Sequence, residues 1–146
     1  MKSLIISLFL IFSASSAEWT LDFDKAKADA TQGNKYILLN FSGSDWCIPC
    51  IKLKKDIFES EVFKNYAADN LILLRADFPR LKKNQLDAKQ TAHNESLADK
   101  YNAEGKFPLT VLVDAKGKKI KEWDGYPSSL TPESFVQEIQ SLSHAR

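Results

Sequence analysis

The sequence predicts an α/β domain of three layers, a central mixed sheet held between helices. Two observations predict it. Apolar runs suited to buried strands alternate with helical segments in the order α-β-α-β-α-β-β-α, and such alternation makes a sheet parallel wherever a helix crosses over. The chain has 146 residues, 44% hydrophobic and 27% charged, which suffices for one packed core and not for two. Twenty Lys and Arg against nineteen Asp and Glu give a formal charge of +1, without the basic excess of a nucleic-acid binder. Two cysteines are too few for a disulfide framework, so the fold must rest on its core.

The first segment reads as an address. Lys2 precedes the apolar stretch 4–12, and Ser13-Ala14-Ser15-Ser16-Ala17 supplies small residues before a polar turn. These are the parts of a secretory signal peptide, and the apolar run is too short to span a bilayer. Cleavage after Ala17 leaves residues 18–146 as the mature domain, with a formal charge of zero once Lys2 is lost. Export permits disulfide chemistry. The 143–146 segment has no retention signal for the endoplasmic reticulum, which favours the periplasm over a eukaryotic lumen, with secretion as the alternative.

The mature chain then alternates. Residues 23–31 are rich in Ala, Lys and Asp and predict a helix stopped at Gln32-Gly33-Asn34. Tyr36–Ser42 is a continuous apolar run for a strand buried on both faces. From Cys47 the pattern turns helical, with Ile48, Ile51, Leu53, Ile57 and Phe58 roughly on one side, and 61–68 is a second helical piece. Residues 71–76 predict another buried strand. The stretch 78–90 is polar and basic and reads as a surface insertion with some helix. Residues 92–101 are helical and end before Gly105. A hairpin follows, with strands 108–113 and 118–123 around Asp114-Ala115-Lys116-Gly117. Thr131-Pro132-Glu133 marks a helix start, and Phe135, Ile139 and Leu142 form its buried stripe.

Cys47-Ile48-Pro49-Cys50 opens a helix directly after a buried strand. Two residues between cysteines on a first helical turn let the sulfurs meet. The first thiol also faces free backbone N–H groups and the positive end of the helix dipole, which favour the thiolate. Cys50, one turn deeper, is expected to be the more buried. In this reading Cys47 attacks a partner disulfide and Cys50 resolves the mixed disulfide. A structural bridge would constrain so short a loop little. A zinc site would have to recruit His93 and His144, which form no paired motif. Inert core thiols are the third alternative.

Trp46-Cys47-Ile48-Pro49-Cys50 after a buried strand resembles the active-site motif of the thioredoxin superfamily. Phe107-Pro108-Leu109-Thr110 resembles that family's cis-proline landmark, and Gly125 its third landmark. The resemblance covers essentially the whole mature chain. Residues 40–63 are further similar to exported thioredoxin-like proteins, among them the C-terminal domain of the periplasmic thiol:disulfide interchange reductase. The resemblance implies a thioredoxin fold with an N-terminal helical extension, and a thiol:disulfide oxidoreductase working through Cys47 and Cys50 in the reducing direction. An oxidase or isomerase of the same fold, or a non-catalytic peptide-binding module, are the alternatives.

It also implies roles for the neighbours. Pro108, if cis, would face the cysteine pair and turn the Phe107 backbone toward a substrate peptide. Trp46 would form a platform beside the nucleophile, a core tryptophan being the equal alternative. Ile48 and Pro49 bear on redox poise, because no histidine between the cysteines stabilises the Cys47 thiolate further. No metal or small cofactor is implied. The expected partners are disulfide-containing proteins and an upstream thiol electron donor, with no nucleic acid, no membrane span in the mature chain, and a monomeric state. Two departures stand out. Asn40 lies where thioredoxins carry a buried aspartate, so a proton relay would need water, Asp45 or another acid. Leu109 separates Pro108 from Thr110. Arg80, Lys82, Lys83 and Lys89 read as a solvated basic loop, with selection of an acidic partner as the sharper alternative. His93 reads as a surface helix residue.

Overall fold

A computed structural model describes residues 17–143. The expected leader, apart from Ala17, lies outside the described residues, as does His144.

Strand β2 (Tyr36–Ser42) is buried at all seven positions, and its side chains divide the core in two. Tyr36 and Leu38 pack on one face with Leu53, Ile57, Phe58, Phe63, Phe135 and Ile139. Ile37, Leu39 and Phe41 pack on the other with Ala26, Ala30, Leu97 and Tyr101. The first group brings in α2 (Ile48–Leu53), α3 (Glu61–Asn70) and α5 (Pro132–Ser143); the second brings in α1 (Phe23–Gly33) and α4 (Ala88–Tyr101). Period-two alternation along one apolar strand thus produces the three layers.

The sheet order is β1-β3-β2-β4-β5, with β1 (Trp19–Thr20), β3 (Leu71–Asp77), β4 (Leu109–Val113) and β5 (Lys119–Asp124) around β2. β1, β3 and β2 run parallel, while β4 and β5 are antiparallel. This is the thioredoxin fold. β5 is an edge strand, and Lys119 and Lys121 with a register shift at Leu112/Val113 protect it from pairing with another chain.

Several boundaries differ from expectation. The N-terminal helix packs directly on the sheet and follows β1, a strand of two residues that is too short to show a period. Gly33 is the last helical residue, and Asn34 supplies the left-handed turn at φ 49°. A π turn (Lys54–Phe58) links α2 to the start of α3. Helix α4 begins at Ala88 because the Asp87 side chain accepts from the Gln90 N–H, so the basic stretch is shorter than 78–90. Only a 3-10 turn at Lys82–Asn84 punctuates what remains.

Candidate active site

β2 ends at Ser42, and the chain must turn sharply to open α2. Gly43 makes this possible: a Cβ there would lie 2.3 Å from the Trp46 indole. The indole therefore folds back over the turn, and the Cys47 N–H donates to the Gly43 carbonyl at 2.9 Å. Cys47 is the N-cap of α2, with extended backbone, and its Sγ accepts from the Cys50 N–H at 3.3 Å. Pro49 occupies the first turn, where its missing N–H costs nothing. Cys47 and Cys50 form a disulfide with Cα atoms 5.2 Å apart.

Both cysteines are buried, at 5% and 4% exposure, so the expected difference in depth is absent in the bridged state. Their positions differ instead. Cys47 sits at the helix mouth, where its sulfur accepts the Cys50 N–H, and Cys50 lies inside the first turn. A reduced sulfur at Cys47 that keeps this bond is favoured as the thiolate. Ile48 and Ile51 stand beside the bridge, 64% and 43% exposed, and surround it with apolar surface.

Trp46 is half-buried rather than a core residue. Its Nε1–H donates to the Phe78 carbonyl at 2.7 Å, and its ring meets Phe107 edge-on at 5.4 Å. Phe78 closes on Phe107 at the same distance. The Arg80 guanidinium lies 3.6 Å from the centre of the Trp46 ring. Phe107–Pro108 is a cis peptide, and Pro108 is buried immediately before β4. The Pro108 carbonyl accepts from Gly125 N–H at 2.9 Å, which joins the second and third sequence landmarks in space.

Asp45 is a strut. Its two oxygens accept from the N–H groups of Arg80 and Leu81 and from the Asn84 amide, each at 2.9 Å. These donors, the Arg80 N–H foremost, hold its carboxyl below the usual carboxylate range, which suits an anchor better than a proton carrier. Ser44 donates through N–H and hydroxyl to the Asp77 carboxylate at 2.9 and 2.5 Å. Asn40 is buried on the sheet face shared with Tyr36 and Leu38, and donates to the Thr110 hydroxyl at 3.2 Å. His93 accepts from the Phe23 N–H and so caps α1.

The fold thus gathers Cys47, Cys50, Ile48, Pro49, Trp46, Phe107 and Pro108 at one end of the sheet. Phe78 and the Arg80 guanidinium over Trp46 join them without having been expected there. The one available signal was an aromatic residue opening an otherwise polar stretch. Among the described residues, no group of three or more His, Cys, Asp or Glu is gathered as a metal would need. Among them also, no helix is long and apolar enough to cross a membrane.

A family model of thioredoxin-like domains matches residues 18–115. Disulfide bond reductase DsbH of Chlamydia pneumoniae is 36% identical over 134 residues, covering 92% of this chain and 77% of that protein. Thioredoxin-related protein DsbJ of the same organism is 24% identical over 107 residues, 73% of this chain and 30% of that protein. Among solved structures, a DsbH oxidoreductase superposes with a TM-score of 0.78 at 30% identity, covering 99% of this chain and 96% of that one. The oxidised C-terminal domain of DsbD from Neisseria meningitidis gives 0.55 at 15% identity, covering 80% and 89%, a likeness of fold.

Proposed function

The chain belongs to the thioredoxin-like family, and on that premise we propose that it is a thiol:disulfide oxidoreductase that reduces disulfides of partner proteins through Cys47 and Cys50. The observation that carries this reading is the disulfide itself, whose first sulfur sits at a helix mouth and accepts an N–H bond.

The cycle balances with two sulfurs and a partner. The Cys47 thiolate attacks one sulfur of the partner disulfide, the S–S bond breaks, and the other partner sulfur leaves and takes a proton. The Cys50 sulfur, losing its proton, then attacks Cys47 Sγ and releases the second partner thiol. Two electrons have moved to the partner, and the Cys47–Cys50 bridge has formed. An upstream dithiol protein returns it to the reduced state by the same exchange. Ile48 and Pro49 favour the reducing direction because neither adds a charge that would stabilise the Cys47 thiolate. The name of the 36% identical relative, a disulfide bond reductase, supports that direction. Trp46, Phe107 and Pro108 form the wall against which a partner segment lies.

Substitution separates the two sulfurs. Cys47→Ser abolishes reduction of a disulfide-linked protein such as insulin. Cys50→Ala still attacks and holds its partner as a covalent adduct, visible on non-reducing gels and lost on adding dithiothreitol. Full activity in Cys47→Ser removes the mechanism. Export of the mature domain is part of the same reading, supported by the composition of residues 1–17. An N-terminus at Glu18 on protein recovered from the periplasm or the medium checks it; an intact leader on all of the protein contradicts it.

A further inference from the structure

An exposed stretch carrying Arg80, Lys82 and Lys83 would ordinarily be a mobile, solvated loop. Here its backbone is fixed. Asp45 receives the Arg80 and Leu81 N–H groups and the Asn84 amide, and Trp46 binds the Phe78 carbonyl. The Gln85 amide ties the Pro79 and Arg80 carbonyls from the other side, at 3.2 and 3.3 Å. Asp45 and Trp46 are the two residues before Cys47, so the place of the basic segment is set relative to the attacking sulfur.

Its charges are left unspent. Among the described residues, Arg80, Lys82 and Lys83 make no ion pair with a carboxylate. The adjacent acid, Asp45, gives its oxygens to amide donors instead. The Arg80 guanidinium lies over the face of the Trp46 ring, a contact that holds the cation in place without neutralising it. Lys52, exposed on the helix that carries Cys50, and Lys55, exposed on the π turn after it, are likewise without a carboxylate partner among the described residues. A segment approaching the bridge therefore meets exposed apolar Ile48 and Ile51, and the Arg80 cation held on Trp46 beside Cys47.

We propose that the segment Arg80 to Lys83 is a partner-selecting lip, which favours protein disulfides whose cysteines are flanked by acidic residues. The proposal rests on the oxidoreductase reading above and names its substrate class. Charge at a rim acts mainly on the rate of encounter and weakens with salt.

The test uses the reduced full-length mature protein and three disulfide-linked peptide dimers, with each cysteine flanked by Glu, Ser or Lys. Released peptide thiol is followed in a single turnover, and each rate is divided by that of the same peptide with dithiothreitol. The normalised rate for the Glu peptide should exceed that for the Lys peptide about tenfold at low ionic strength, and the ratio should approach one at high salt. The double variant Lys82→Glu/Lys83→Glu should reverse the order. Equal normalised rates at low salt overturn the lip, as does an order that survives the reversal. No thiol released from any peptide, Ser included, overturns the oxidoreductase reading itself, a result distinct from a failed preference.

Discussion

Asp45 connects the turn before the bridge to the segment after β3, and its anion is what the three donors there require. Because its carboxyl is held below the ordinary value of 3.8, its contribution is complete above that value. It fades only as pH falls through the lowered one. The Arg80 and Leu81 amide resonances should therefore stay constant from neutral pH down to about pH 5 and move at lower pH. In Asp45→Ala they should lose hydrogen-exchange protection at every pH, while the α3 amides keep theirs. Unchanged protection in that variant would show that Asp45 is no anchor. Asn40 makes a contrasting point. An amide paired with Thr110 cannot carry a proton, so any acid that serves Cys50 must come from elsewhere than this buried pair. Trp46 could not be assigned from sequence, because a platform and a core tryptophan look alike there. Its contacts are with Phe78, Arg80 and Phe107, residues over 30 positions away in the chain.

At the scale of elements, the sequence is informative where one physical rule dominates. β2 is legible to the residue, because burial on both faces demands an unbroken apolar run. Three helices with side-chain caps, α1 after Asp22, α3 after Ser60 and α5 after Thr131, start where the pattern places them. α4 starts early because the Asp87 cap was hidden inside a stretch read as a charged loop. β1 is held by its parallel pairing with β3 and by Trp19 against Phe58 and Arg75, contacts that local pattern cannot carry. The layer bearing α2 depends on an aromatic cluster in which Phe135 meets Phe63 at 6.1 Å, Phe58 at 6.3 Å and Trp123 at 5.0 Å. Phe135 is 1% exposed, so Phe135→Ala should cost about 3–5 kcal/mol in chemical denaturation. Its remaining folded fraction should keep the wild-type exchange rate. A loss under about 1 kcal/mol would mean that the cluster collapses to fill the space.

Across the whole molecule, the active pair was legible because its chemistry is local: two sulfurs, two intervening residues and a strand-to-helix junction lie within one short stretch. The surroundings were not, since Arg80 reaches Trp46 only after β3 has been laid beside β2. The same assembly gathers unpaired cations at the end of the sheet that holds the bridge, in a chain whose formal charge is only +1. Charge counts cannot reveal that asymmetry, though motif spacing can reveal the bridge. The direction proposed for this bridge is that of a reducing dithiol. The most direct measurement is the equilibrium of the Cys47–Cys50 couple against defined ratios of reduced and oxidised glutathione. A reducing potential of about −270 mV is expected, with the bridge persisting until glutathione is strongly reducing. A potential of about −120 mV, with the dithiol stable in mildly oxidising glutathione, would contradict this and make the protein an oxidant.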